Sequence, residues 1–213
     1  MIKKAQEVEF YEIIHKNSKR IYPRVSMISD GLRRIDYCKT EHDFYWEPYK
    51  QIRVNVDKVT DKWPDHLSDY HWEQYYMFSE KVIQLIEKQG YLSLKSFNVF
   101  IENAETDASY YLINGLDMKG AEIDYKKSEL TYRICKECKT IRIDVESIVK
   151  KIKKGIKGNT FLKNWNGKCV FSIGDEKGWR LYCTNEFINI CKQNNLTNIS
   201  FRNILTDQVT NGS

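Results

Sequence analysis

The sequence predicts an α+β fold in a single domain, with a mixed or antiparallel sheet carrying two similar capped helix–strand units. Three observations predict it. Short apolar runs alternate with polar residues in the first quarter of the chain, an internal repeat spells cap, helix, stop and strand twice, and the composition is globular throughout. Of 213 residues, 41% are hydrophobic and 30% charged, with only 3 Pro and 10 Gly, which leaves little room for long disordered arms. That length suits one core. The expected layout is a strand- and loop-rich half to about residue 70 and a second half over about residues 71–205 of the single unit 1–213.

Glu9-Phe-Tyr-Glu-Ile-Ile and Gln51-Ile-Arg-Val-Asn-Val alternate with period two, and Pro23, Gly31 and Pro48 interrupt the stretch between them. This reads as short strands and loops. The repeat comes next. Residues 78–91 align without a gap on residues 183–196. Ser79 and Thr184 stand where a hydroxyl would cap a helix. The pairs Val82/Phe187, Ile83/Ile188 and Ile86/Cys191 fall on one helical face. Gly90 and Asn195 favour the left-handed conformation that closes a helix. An apolar run follows each copy, Phe97-Asn-Val-Phe-Ile and Ile199-Ser-Phe, and reads as a strand. Between the copies, Ser109-Tyr-Tyr-Leu-Ile-Asn-Gly-Leu reads as a buried strand or short helix. Thr131-Tyr-Arg-Ile, Thr140-Ile-Arg-Ile and Cys169-Val-Phe-Ser-Ile read as strands, and a short basic helix is expected over 145–154.

Charge is unevenly placed. The formal net charge is +5, yet residues 125–158 carry eleven Lys/Arg against four Asp/Glu, and residues 41–80 carry nine acids against four bases. The acidic stretch also holds ten of the 28 aromatic residues. Trp and Tyr dominate binding hot spots and carboxylates steer cationic partners, so Trp46, Trp63, Tyr70 and Trp72 are the expected partner contacts. Packing in the core is the competing use for such rings.

No stretch has the run of about 18 apolar residues that a membrane span needs, and the first residues lack a signal peptide's apolar centre. A cytoplasmic protein without membrane contact is expected, with its six cysteines as thiols or metal ligands. Cys135-Lys-Glu-Cys138 sits between two strand-like runs, the setting of a zinc knuckle. Cys38 and His42 would complete a Cys₃His set for tetrahedral zinc, filled by protein and therefore structural. Plain reduced thiols and a redox pair are the alternatives.

Enzyme signatures are absent: there is no Gly-x-Ser-x-Gly, P-loop or Gly-x-Gly-x-x-Gly. His66 and His71, with Asp65 and Asp69, could form an acid/base cluster, and a polar loop accounts for them equally well. The run Lys150-Lys-Ile-Lys-Lys could meet phosphates, but no aromatic interleaves with it to stack bases.

The order of Tyr110-Tyr-Leu-Ile-Asn-Gly-Leu, Ile123-Asp-Tyr-Lys-Lys-Ser-Glu, a strand, Leu181-Tyr-Cys-Thr-Asn-Glu-Phe-Ile-Asn-Ile-Cys and Asn195-Leu-Thr-Asn-Ile-Ser-Phe resembles bacterial immunity proteins of polymorphic toxin systems over about residues 70–205. The nearest subgroup in pattern is that of the double-CXXCG, or SitI-like, immunity proteins, which carry two Cys-x-x-Cys-Gly knuckles. Here Cys135-Lys-Glu-Cys138 is followed by Lys139 rather than Gly, and Cys38-Lys-Thr-Glu-His42 stands where an earlier knuckle would sit. The resemblance implies a non-catalytic protein that binds and occludes a cognate toxin. A zinc-knuckle nucleic-acid-binding protein is the alternative reading.

Overall fold

A computed structural model describes residues 8–15, 22–38, 43–58, 60–67, 76–91, 94–113, 115–144, 146, 160–173 and 180–211. The chain runs through β1 (Phe10–His15), β2 (Val25–Cys38), β3 (Asp43–Val56), β4 (His66–Leu67), β5 (Tyr76–Ser79), α1 (Glu80–Glu87), β6 (Ser96–Ile101) and β7 (Tyr110–Ile113). A 3-10 turn (Gly115–Met118) leads to β8 (Lys119–Ile123), β9 (Tyr132–Ile134), β10 (Ile141–Ile143), β11 (Leu162–Lys163), β12 (Val170–Ile173), β13 (Leu181–Thr184), α2 (Asn185–Gln193), β14 (Ile199–Asn203) and β15 (Val209–Asn211). The class is α+β, mostly sheet, with two helices fully within the described residues.

The strands form three sheets rather than the one expected. A seven-stranded sheet has the order β11-β8-β12-β13-β1-β14-β15, a six-stranded sheet the order β2-β3-β6-β7-β5-β4, and β9 pairs with β10 alone. Both large sheets are mixed, since β12 runs parallel to β8 and β3 parallel to β6. The two repeat copies build the same local topology, one in each sheet. In the first, β5 and β6 flank β7 and pair antiparallel with it; in the second, β13 and β14 flank β1 likewise. A strand, its helix and the next strand thus leave a gap of one strand, which a third segment fills.

The apolar positions of the repeat all point inward. Val82, Ile83 and Ile86 of α1 and Phe187, Ile188 and Cys191 of α2 are buried in one cluster, together with Tyr76, Phe78 and Ile113 of one sheet and Ile13, Leu181, Cys183 and Phe201 of the other. Gly90 (φ 92°) and Asn195 (φ 51°) take the left-handed conformation after the helices. The hydroxyl caps, however, do not form: neither Ser79 nor Thr184 makes a side-chain bond to its helix. Ser79 Oγ donates instead to Asp65 Oδ1 at 2.8 Å, and the Thr184 hydroxyl is buried without a hydrogen-bond partner. Each cap residue is also the last residue of a strand, and strand packing rather than helix capping sets its rotamer.

Gly31 and Pro48 do not break the first quarter as expected, because both lie inside 14-residue strands. Gly31 (φ 97°) sits at a bulge between Asp30 and Leu32, where a Cβ would come within 2.4 Å of the Gln51 carbonyl oxygen. Pro48 pairs with Leu32 on a stretch of β3 whose other side has no partner strand among the described residues, where a missing N–H costs little. The basic helix expected over 145–154 falls outside the described residues, Glu146 apart.

Asp65 ties the sheets together. Its carboxylate accepts from Ser79 Oγ, from the Thr197 amide at 2.8 Å and from Thr197 Oγ1 at 3.0 Å, while its own amide donates to Thr197 Oγ1 at 2.9 Å. His66 beside it is 3% exposed and lies parallel to the Tyr76 ring, 5.8 Å away. Asp65→Ala would leave several of these donors unsatisfied, and we expect a loss on the order of 2–3 kcal/mol in urea-unfolding stability. Three buried thiols respond to pH in a second test. Burial pushes Cys169 up to about 11, Cys191 up to about 12 and Cys183 well above its ordinary value. They stay neutral in the folded chain and ionise once unfolded. Stability therefore holds below about pH 9 and falls above it, by up to about 1.4 kcal/mol per pH unit for each thiol. The slope measured between pH 9 and 11 should be shallower in Cys183→Ala.

Candidate metal centre

Three of the six cysteines converge at one place. Cys38 is the last residue of β2, whereas Cys135 and Cys138 lie in the turn that joins β9 to β10. Their Sγ atoms all fall within 4.8 Å of one another, and Cys38 Sγ lies 3.6 Å from Cys135 Sγ across 97 residues of sequence. Cys38 and Cys135 are buried at 2% and 4% exposure, and Cys138 is half-buried. All six cysteines are free thiols. The Cys38/Cys135/Cys138 cluster could hold a metal ion.

The turn has the shape of a knuckle. The Cys135 amide donates to the Thr140 carbonyl at 2.9 Å and the Lys139 amide donates to the Cys135 carbonyl at 3.0 Å, which folds the backbone around the sulfurs. Lys139 takes φ 58°, the left-handed region that glycine adopts without penalty. It is the position at which the resemblance puts glycine. For Lys the conformation costs about 1–2 kcal/mol, partly offset where its Nζ donates to the Lys136 carbonyl at 2.7 Å.

Cys138 is the most acidic of the thiols whose pKa is displaced. Its Sγ is hydrogen-bonded to Thr140 Oγ1 at 3.0 Å. Donation from the Thr140 hydroxyl to the thiolate, aided by the Thr140 amide and the two neighbouring sulfurs, lowers it to about 7. Glu137 reaches the cluster from the exposed side, with Oε2 3.6 Å from Cys38 Sγ. Neither Thr140 nor Glu137 stood out in the sequence. A Thr two residues beyond the second cysteine of a knuckle is the only signal that could have found the first, and nothing in the local pattern marks the second.

Other expected site residues are placed differently. Trp63 is half-buried, packed on the core cluster of Ile52, Val54, Leu67 and Leu112, with its ring 6.3 Å from that of Tyr110. The Trp46 side chain, His42, Tyr70 and Trp72 lie outside the described residues. Asp65 and His66 lie at the junction between the sheets, where Asp65 bonds to Ser79 and Thr197; His71 and Asp69, the other two members of the expected cluster, are outside the described residues. Lys150, Lys151, Lys153 and Lys154 also fall outside them. No helix among the described residues is long and apolar enough to cross a membrane.

A groove of about 880 Å³ runs along β6 and the loop after it, lined by Gln51, Asn98, Phe100, Glu102, Glu105 and Tyr111 among others. The Ser29 hydroxyl and Arg53 hold Glu102 below its ordinary range and keep it ionised. No protein-family model matches the chain, and no curated protein matches it.

The cysteines divide into two chemical groups. In metal-free protein near pH 7, Cys138 should be the first thiol alkylated by iodoacetamide, with its rate rising through a midpoint near 7. Cys169, Cys183 and Cys191 should react only on unfolding. Mass mapping of the modified peptides against time and pH measures both.

Proposed function

We propose that this chain is a non-catalytic immunity protein, which binds and occludes a cognate bacterial toxin and carries a structural zinc. The observation that carries the reading is the convergence of Cys38 on the Cys135–Cys138 knuckle, with Lys139 in the glycine conformation. The resemblance places two knuckles in this group. Here the segment standing at the first supplies Cys38 to the second.

Zinc suits the donors. Thiolates are soft ligands, and the Thr140 hydroxyl and amide favour the ionised form of Cys138. We assign the fourth position to His42, because Asp43, the next residue in the chain, is the register partner of Cys38. With four protein ligands such a site has no open position for substrate, so its role is to fasten the β9–β10 turn to the end of β2. The engagement of Asp65 with Ser79 and Thr197, and of Glu102 with Arg53 and Ser29, also supports a binding role over a catalytic one. Under this reading the protein is cytoplasmic and its partner is a toxin encoded beside it.

Two measurements test the halves separately. Elemental analysis of purified protein should find about one zinc per chain, lost in Cys135→Ser and reduced in His42→Ala. Co-expression with the product of the adjacent toxin gene should restore growth through a complex with a dissociation constant on the order of nanomolar or tighter. Zinc without rescue would leave a metal protein of another function; neither would remove the reading entirely.

A further inference from the structure

The β9–β10 hairpin stands apart from both large sheets, and its outer strand presents an open edge. Every residue of β9 is exposed, with Tyr132 at 48% and Ile134 at 55%. Their side chains share the face on which Ile143 and Ile141 pack against the core cluster around Phe171, because they are the register partners of those two residues. Arg133 and Arg142 share the other face.

The hydrogen-bond pattern decides which backbone groups are used. The Cys135 amide donates to the Thr140 carbonyl and the Asp144 amide to the Thr131 carbonyl, so Thr131, Arg133 and Cys135 turn their polar backbone toward β10. Alternation in an antiparallel ladder then points the N–H and C=O groups of Tyr132 and Ile134 outward. No other described strand pairs with β9. An exposed edge of this kind is a template for another strand.

Charge selects the occupant. Residues 131–143 hold Arg133, Lys136, Lys139 and Arg142 against Glu137 alone, a formal +3. The acids Asp144 and Glu146 stand beyond the root of the hairpin, where Asp144 accepts from the Thr131 hydroxyl and the Glu146 amide. A nucleic acid would need a stacking platform, and the single exposed ring, Tyr132, already packs on Tyr125 at 4.5 Å between centroids.

We propose that the β9 edge receives an extended acidic segment of a partner protein as an added antiparallel strand, its apolar residues beside Tyr132 and Ile134 and its carboxylates beside Arg133 and the knuckle lysines. The inference rests on the binding role proposed above and names a surface for it. With zinc bound as proposed above, the sulfur cluster would anchor the hairpin to β2 and present the edge as a rigid strand.

The test uses the full chain loaded with zinc and a fluorescein-labelled decapeptide of alternating valine and glutamate, so that its outcome is independent of toxin rescue. Fluorescence anisotropy should show saturable binding of this peptide, at least about tenfold tighter than that of a valine–lysine peptide or a single-stranded RNA decamer. Amide exchange followed by NMR should slow at Tyr132 and Ile134 and stay unchanged at Arg133. Ile134→Pro removes only an outward N–H, so it should keep its zinc and lose at least about tenfold in affinity. Tyr132→Thr with Ile134→Thr, which keeps every amide, should lose affinity through the side chains alone. Equal or tighter binding of RNA, no binding of the acidic peptide, or binding that leaves the Tyr132 and Ile134 amides exchanging as before would overturn the proposal.

Discussion

Burial of two helix faces in one shared core holds the two large sheets to each other. α1 and α2 each supply three side chains to a single cluster that also takes Tyr76 and Phe78 from one sheet and Ile13, Cys183 and Phe201 from the other. Fully burying a Phe, Ile or Val side chain contributes roughly 1.5–3 kcal/mol, so five such positions, with Cys191 as the sixth buried side chain, outweigh any single polar contact in the molecule. Polar groups then fix the geometry. Tyr76 Oη donates to the Ile13 carbonyl at 3.0 Å and accepts from the Leu181 amide at 3.1 Å, bridging β5 to β1 and β13 within the apolar cluster. Asp65 repeats that bridging at the periphery through Thr197.

Much of that core was legible in the sequence, because it is written with a local period. The six inward positions of the repeat are three and four residues apart, and a helix places such residues on one side whatever it packs against. The stops were legible too, since Gly90 and Asn195 are chosen by backbone sterics that act within one residue. What failed was the assignment of hydroxyls. Ser79 Oγ donates to the Asp65 carboxylate, and that charge-assisted bond turns the hydroxyl away from the helix amide it would have accepted from. The number of sheets was not legible either. Strand pairing joins β5 to β7 and β1 to β14, contacts of long sequence separation that no alternating pattern encodes. Likewise the two 14-residue strands pass through Gly31 and Pro48 because a bulge absorbs the first and an unpaired flank tolerates the second.

The cysteine cluster divides the same way. Cys135 and Cys138 announce themselves by spacing, and the sulfurs do sit in a turn between paired strands. Cys38 was expected from its place in a family pattern, and its approach to Cys135 depends on how β2 ends, a tertiary fact. Thr140 was invisible because its effect is chemical. A hydroxyl donating to a sulfur is needed only once the sulfur is a thiolate, and sequence spacing carries no sign of ionisation. Of the aromatic residues expected at a partner surface, Trp63 is half-buried, resting on Tyr110 and the adjoining core while keeping part of its surface exposed.

The hairpin that bears the knuckle gains its position from two sources of different character. Ile141 and Ile143 are only part-buried against the cluster of Phe171 and Tyr182, and β9 contributes the Tyr125–Tyr132 ring pair but no buried side chain. Apolar contact of that extent is small beside the cluster that joins the sheets. The sulfur cluster supplies the second tie, and it links the hairpin tip to β2, an element of the other sheet. Lys139 supports the inference from the opposite direction. A lysine is held in a conformation that costs it free energy, and the surroundings must favour that turn geometry for another reason. Gathering three sulfurs at one point, where the tip of the hairpin meets the end of β2, is the reason the structure offers.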